Sequence, residues 1–538
     1  MKHLSILHRL GILLLGMSFS VGCLLLMSCS ESDPQSPEHP LLQFGIKVGN
    51  SSVEGVIDEA SHMINISGVQ DGNLITDVEY RLVEGASIYP DPKSWLNKWQ
   101  QDAKFIITVA EHQQLYTVRL NDIAEPEIKA DATIYPERYY GRVIKDFYYD
   151  LKLNASAIGS STTANELFVT DDMNGLRISI YGDATRPAHP SAGVVDEQYY
   201  TKMISSIERA KIARGNKDLT IFASKKLDGT QSFPDWVKDA NGVIVDKYAT
   251  LLADYILYMK GKNIIVDVLG VDNEINFNEG NITPQKHAQI VDKLKTLATE
   301  KGFKMPLIVG PERYEPMGDV SNCWLKKFLD GGWGDRIDIY GTHYYPEHRY
   351  VDKLRYELTL IGERPFWATE PHWPSETAQT DVLGYAETAI CALWDQTDLG
   401  MSGFMWWDYK RSGNLRGNLM RIASVPLKDA RPIEIEDHDG TDIGQLGKLQ
   451  TRAFREGKII NVYVINMCAA DAVATAKAYE NYVFGVNDGV IQGDIEYIQW
   501  TDASSIEGAK GTVQKMGEKN FSFTLPIRSI TYLRFEME

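Results

Sequence analysis

The rhythm of apolar and polar positions changes twice along the chain. From Leu42 to about Asp122, short alternating runs recur between turns: Phe44–Val48, Met63–Ile66, Leu74–Arg81, Phe105–Val109 and Tyr116–Leu120. Alternation buries one face of each run, which predicts a small all-β, Ig-like module over residues 42–125. Trp95 and Trp99 interrupt it beside prolines. An aromatic pair at that spacing fits the module's core, with a sugar-stacking platform as the alternative.

After about Tyr139, apolar β-branched runs alternate with helical stripes. Leu176–Tyr181, Leu219–Ala223, Asn263–Leu269, Leu307–Val309, Ile337–Tyr340, Pro365–Ala368 and Gly403–Trp406 read as strands. Between them, Tyr200, Met203, Ile204 and Ile207 mark one helix face, and Tyr248, Leu252, Tyr255 and Met259 another. Thr283 and Pro284 start a third helix, with a capping side chain and a proline at its first position. A further strand near Phe147–Leu153 makes eight, and the span is close to the ~250 residues typical of a (β/α)8 TIM barrel. A doubly wound open sheet is the rival, disfavoured because no glycine-rich phosphate loop follows a strand. Lys458–Asn466, Gly493–Trp500, Phe521–Leu525 and Ser529–Phe535 return to β patterning. The expected division is a barrel with its leading strand or strands over 126–430 and a C-terminal β-sandwich over 431–538.

Lys2, His3 and Arg9 precede an apolar run from Leu10 to Met27. A transmembrane anchor is one reading. Leu26-Met27-Ser28-Cys29 resembles a bacterial lipoprotein cleavage box, and Ser30-Glu31-Ser32-Asp33 resembles the export tag of Bacteroidota surface lipoproteins. That resemblance implies a signal peptide over 1–28, a lipid on Cys29 and a tether over 29–41. It places the protein on the outer membrane, facing the cell surface or, alternatively, the periplasm. The 538 residues carry a net charge of −18, which argues against a nucleic-acid-binding role, because phosphate neutralisation needs a basic surface. The cysteines form no CxxC pair and no zinc-spaced cluster.

Barrel chemistry sits at the C-terminal ends of strands, so the residues ending each apolar run matter most. The fourth run leads into Asp272-Asn273-Glu274 and the seventh into Thr369-Glu370-Pro371-His372-Trp373. The sixth leads into His343-Tyr344-Tyr345 and the eighth into Trp406-Trp407. Two carboxylates flanked by His, Tyr and Trp are what glycoside hydrolysis needs: one to protonate the leaving oxygen, one to stay ionised opposite the oxocarbenium-like centre. Glu312 and Glu315 follow the fifth run as second-tier site candidates, with a structural pairing to adjacent Arg313 the favoured role.

These pairs resemble the catalytic glutamates of the clan A glycoside hydrolases. With Leu176-Arg177-Ile178-Ser179-Ile180, Phe222-Ala223-Ser224 and Phe233-Pro234-Asp235-Trp236-Val237-Lys238, the order of features is most similar to glycoside hydrolase family 30. The resemblance covers residues 147–538. It implies Glu274 as acid/base, Glu370 as nucleophile and Asn273 on the sugar 2-hydroxyl. Arg177 would lie beneath the nucleophile, and Tyr344 or Tyr345 would hold its carboxylate. Trp406 or Trp407 would form the sugar floor, with His343, His372 and Trp236 lining the site. It implies a retaining β-glycosidase acting on a polysaccharide or oligosaccharide, with no metal or organic cofactor. Retention calls for carboxylates ~5–5.5 Å apart, inversion for ~6.5–9.5 Å.

Ile275 stands where the clan often has proline, and Lys225-Lys226 stand where the family commonly has tryptophan. The lysines either read an anionic glycan or form a solvated pair. An algal galactan hydrolase of the agarase and porphyranase kind, a non-catalytic glycan-binding lipoprotein and an adhesion lipoprotein are the competing functions. Oligomeric state leaves no mark in the sequence.

Overall fold

In a computed structural model of the chain, the described residues are 39–99, 102–110, 112–122, 128–152, 154–183, 186–226, 233–275, 281–313, 323–344, 351–371, 382–406, 415, 425–438, 449–468, 473 and 476–538. They form two compact units, up to Glu127 and from Ile128. No helix among them is long and apolar enough to cross a membrane.

The first unit is β-rich: a three-stranded and a five-stranded sheet share one apolar core. Trp99 is fully buried there and Trp95 packs on it at 6.0 Å, so this pair is core.

The second unit contains a closed parallel barrel of eight strands, the expected TIM architecture. They are β1 (Asp146–Asp150), β2 (Gly175–Ile180), β3 (Thr220–Lys225), β4 (Val268–Gly270), β5 (Leu307–Arg313), β6 (Ile339–Tyr344), β7 (Phe366–Pro371) and β8 (Gly403–Trp406). Around it lie α1 (Thr201–Arg214), α2 (Val245–Gly261), α3 (Pro284–Lys301), α4 (Trp324–Asp330), α5 (Val351–Ile361) and α6 (Val382–Asp398). Thr283 caps α3 through Lys286 N–H, with proline at the first helical turn. Because side chains alternate along a strand, Leu176, Ile178 and Ile180 of β2 join the layer against the helices. Tyr148, Phe222, Val268, Val309, Ile339, Trp367 and Met405 fill the barrel interior below the site.

The C-terminal region is β-rich, as expected, but it borrows a strand. Ala132–Tyr139, which precedes the barrel in sequence, pairs antiparallel with Arg431–Asp437 and parallel with Tyr479–Val486. Ten strands are hydrogen-bonded in one order. Phe521 and Phe535 lie on strands far apart in that order, yet their rings meet at 5.4 Å. The sheet therefore doubles back on itself and closes a sandwich around one core. It packs on α6, where Arg452 pairs with Asp398 at 2.8 Å.

Candidate active site

Two backbone irregularities aim the acids of this site. Pairing between β6 and β7 runs Thr342↔Ala368 and then His343↔Glu370, so Thr369 is an extra residue. A bulge reverses side-chain parity, and it turns Glu370 inward although Trp367 already points into the barrel. On β5 the register shifts between Pro311 and Arg313, and Glu312 takes a left-handed φ of 47°. Parity alone would put Glu312 on the helix side with Ile308; the shift turns it in and sends Arg313 out. Glu274 also has a positive φ, 52°, a conformation that costs a non-glycine residue energy and recurs at functional sites.

Arg177 lies at the centre, with no solvent exposure. Its Nη1 donates to Glu370 Oε2 at 2.6 Å and to Asp150 Oδ2 at 2.9 Å. Its Nη2 donates to Glu312 Oε2 at 2.9 Å and to Asn273 Oδ1 at 3.0 Å. Lys152 Nζ donates to the same Asn273 oxygen and lies 3.7 Å from Glu370 Oε2. His343 stands between the two glutamates, and ligand atoms of Glu274, His343 and Glu370 all lie within 4.8 Å of one another.

Burial alone would raise the Glu370 carboxyl, but His343, Arg177 and Lys152 outweigh it and hold the group well below the usual carboxylate range. Burial raises Asp150 and Glu312, with Arg177 opposing in both. Burial and the Arg177 charge depress Lys152. The Glu274–His343–Glu370 trio has the donors for a metal ion. A cation there would meet the fixed charges of Arg177 and Lys152 beside Glu370.

Several expected site residues lie elsewhere. Tyr344 follows inward-facing His343, so it points to the helix layer and donates to Asp395 of α6 at 3.1 Å. Trp406 joins that layer too, while Met405 points inward. Lys225 points outward: its Nζ pairs with Asp272 at 2.6 Å and lies 3.3 Å from the Phe233 ring centroid. It is a buried structural cation. Lys226 faces inward and donates to the Lys152 carbonyl; burial first, then Lys152, lower its pKa to about 8. Trp236 spends its indole N–H on the His189 carbonyl at 2.8 Å. Arg313 pairs with Glu357 of α5, and Glu312 with Arg177. Tyr345, His372, Trp407, Glu315 and Cys29 fall outside the described residues. Asp150 and Lys152 were missed, although they end the strand expected near Phe147–Leu153.

Residues 7–129 match a family model described as a domain of unknown function (DUF4971). No curated protein matches the chain. Among solved structures it is similar to a GH30 endoxylanase from Clostridium papyrosolvens C71, with 17% identity, TM-score 0.54, and 76% of this chain and 100% of that one covered. The catalytic domain of GH30 xylanase C from Talaromyces cellulolyticus gives 16%, 0.54, 75% and 99%. SrfJ from Salmonella typhimurium gives 15%, 0.54, 79% and 96%. The barrel and its β-rich companion thus share the fold of GH30 enzymes.

Proposed function

We propose that the protein is a retaining β-glycosidase acting on a polysaccharide or oligosaccharide. One observation carries the reading: Glu274 and Glu370 meet across a gap under 4.8 Å between nearest oxygens, with Glu370 held ionised by Arg177. That spacing suits direct attack, because inversion needs room for a water between the acids. Glu370 attacks the anomeric carbon as Glu274 gives its proton to the leaving oxygen. Glu274 then takes a proton from the water that opens the glycosyl-enzyme. Asn273 has its amide oxygen occupied by Arg177 and Lys152, which leaves its NH2 to donate to the sugar 2-hydroxyl. Similarity of fold to xylanases supports a polysaccharide substrate. Residues 10–33 support a lipid-anchored, outer-membrane location.

The test is incubation with a panel of plant, algal, fungal and host glycans, alongside a Glu274→Ala/Glu370→Ala variant. New reducing ends from the native protein alone support hydrolysis, and an NMR spectrum of the first product showing the starting anomeric configuration supports retention. Binding without product from the native protein overturns the reading in favour of a glycan-binding protein.

A further inference from the structure

Besides Asp150, a second buried carboxylate outside the catalytic pair binds Arg177, and three separate elements make room for it. Glu312 leaves the regular path of β5 at φ 47°. Gly270 at the end of β4 has no Cβ; one placed there would lie 1.7 Å from Glu312 Oε1. Ser224 of β3 donates to that same Oε1 at 3.0 Å. The other oxygen takes Arg177 Nη2 at 2.9 Å. A backbone in a disfavoured region, a glycine forced by contact and a dedicated hydroxyl all serve one carboxylate. Its partner Arg177 contacts Glu370 and Asn273.

We infer that Glu312 is a positioning residue, holding the Arg177 guanidinium in the orientation that serves Glu370 and Asn273 together. The guanidinium is planar, so fixing Nη2 between Glu312 and Asn273 fixes where Nη1 points. Asp150 holds Nη1 from the β1 side, and Glu312 supplies the opposing restraint on Nη2. Without it Arg177 can rotate toward Asp150, and Glu370 loses its shortest hydrogen bond to a cation. The inference rests on the glycosidase reading.

The experiment compares Glu312→Ala, Glu312→Gln and Gly270→Ala on the glycan that the native protein cleaves. Glu312→Ala should lower kcat about 10- to 100-fold with KM within about threefold, since a misplacement of a reacting group by about 1 Å can cost about 100-fold. Glu312→Gln keeps an acceptor oxygen for Nη2 and should recover most of that loss. Gly270→Ala keeps Glu312 but displaces it, and should reproduce the alanine phenotype. Adding Glu312→Ala to it should cost little more. Native kcat in Glu312→Ala overturns the inference, as does a loss confined to KM. A loss in Gly270→Ala that fully adds to that of Glu312→Ala also overturns it. NMR of 15N-arginine-labelled protein separates the two readings. Arg177 side-chain signals that sharpen in the native protein and average in Glu312→Ala support positioning even if no glycan is cleaved. Unchanged signals overturn it whatever the activity.

Discussion

The imidazole of His343 bridges the two glutamates, its Nδ1 3.5 Å from Glu274 Oε1 and its Nε2 3.6 Å from Glu370 Oε2. One fully buried ring thus faces both acids. Truncation to His343→Ala should lower kcat about 10- to 100-fold with the fold intact, since the ring lies against both acids and a small misplacement of a reacting group can cost about 100-fold. Because it acts through the carboxylates, it should add little to Glu274→Ala. Steady-state kinetics of the double variant check this non-additivity.

The roles of the two acids separate under azide. Glu370→Ala should abolish glycan turnover, and azide attacking the vacated face should give a glycosyl azide of inverted configuration. Glu274→Ala should slow substrates with poor leaving groups by about 10²- to 10⁴-fold and spare activated aryl glycosides. Azide should then accelerate breakdown of its glycosyl-enzyme and yield the retained product. The same azide anomer from both variants would refute the assignment.

Lys225 should matter for stability and not for substrate choice. Lys225→Met leaves Asp272 buried without its cation, at a cost of about 3–5 kcal/mol. Lys225→Met/Asp272→Asn should recover much of that loss. KM for any glycan should stay within about twofold in the double variant. Urea unfolding and initial rates measure the two effects.

Acid should weaken the fold through His287. Burial holds its pKa down at about 3, against 6.5 in the unfolded chain. Below pH 6.5 the unfolded chain takes up a proton that the folded protein refuses, so stability present above 6.5 is lost as pH falls. By pH 4.5 the loss is roughly 3 kcal/mol at 1.4 kcal/mol per pH unit. His287 lies among Trp324 and Phe328, with ring centroids at 5.3 and 5.4 Å, a setting that accepts phenylalanine. In His287→Phe, the stability difference between pH 7.5 and 4.5 should shrink by about that amount. His189, lowered by burial to about 4, contributes with the same sign and stays in place.

Strand positions and the acids at their ends were legible because burial imposes a period of two on a strand and of 3.6 on a helix. Direction was legible only where alternation is regular. Lys225 and Lys226 looked equivalent in sequence, yet alternation sends one outward to Asp272 and the other inward to the Lys152 carbonyl. The register shifts at Glu312 and Thr369 break that alternation, and nothing in the neighbouring residue types announces them. Glu312 therefore seemed destined for adjacent Arg313, when its partner comes from β2. The borrowed strand Ala132–Tyr139 was invisible for another reason: an alternating run shows that it has a buried face but not which sheet it joins.

That borrowed strand also sets an order in time. Ala132–Tyr139 leaves the ribosome before the whole barrel, but its hydrogen-bonding neighbours, Arg431–Asp437 and Tyr479–Val486, are made about 300 residues later. Until they arrive, its edges have no hydrogen-bonding partner strand in this chain. β8 itself precedes Arg431 by only about 25 residues, so barrel closure and capture of this strand fall together near the C-terminal end, and until then the strand offers both edges to any other strand.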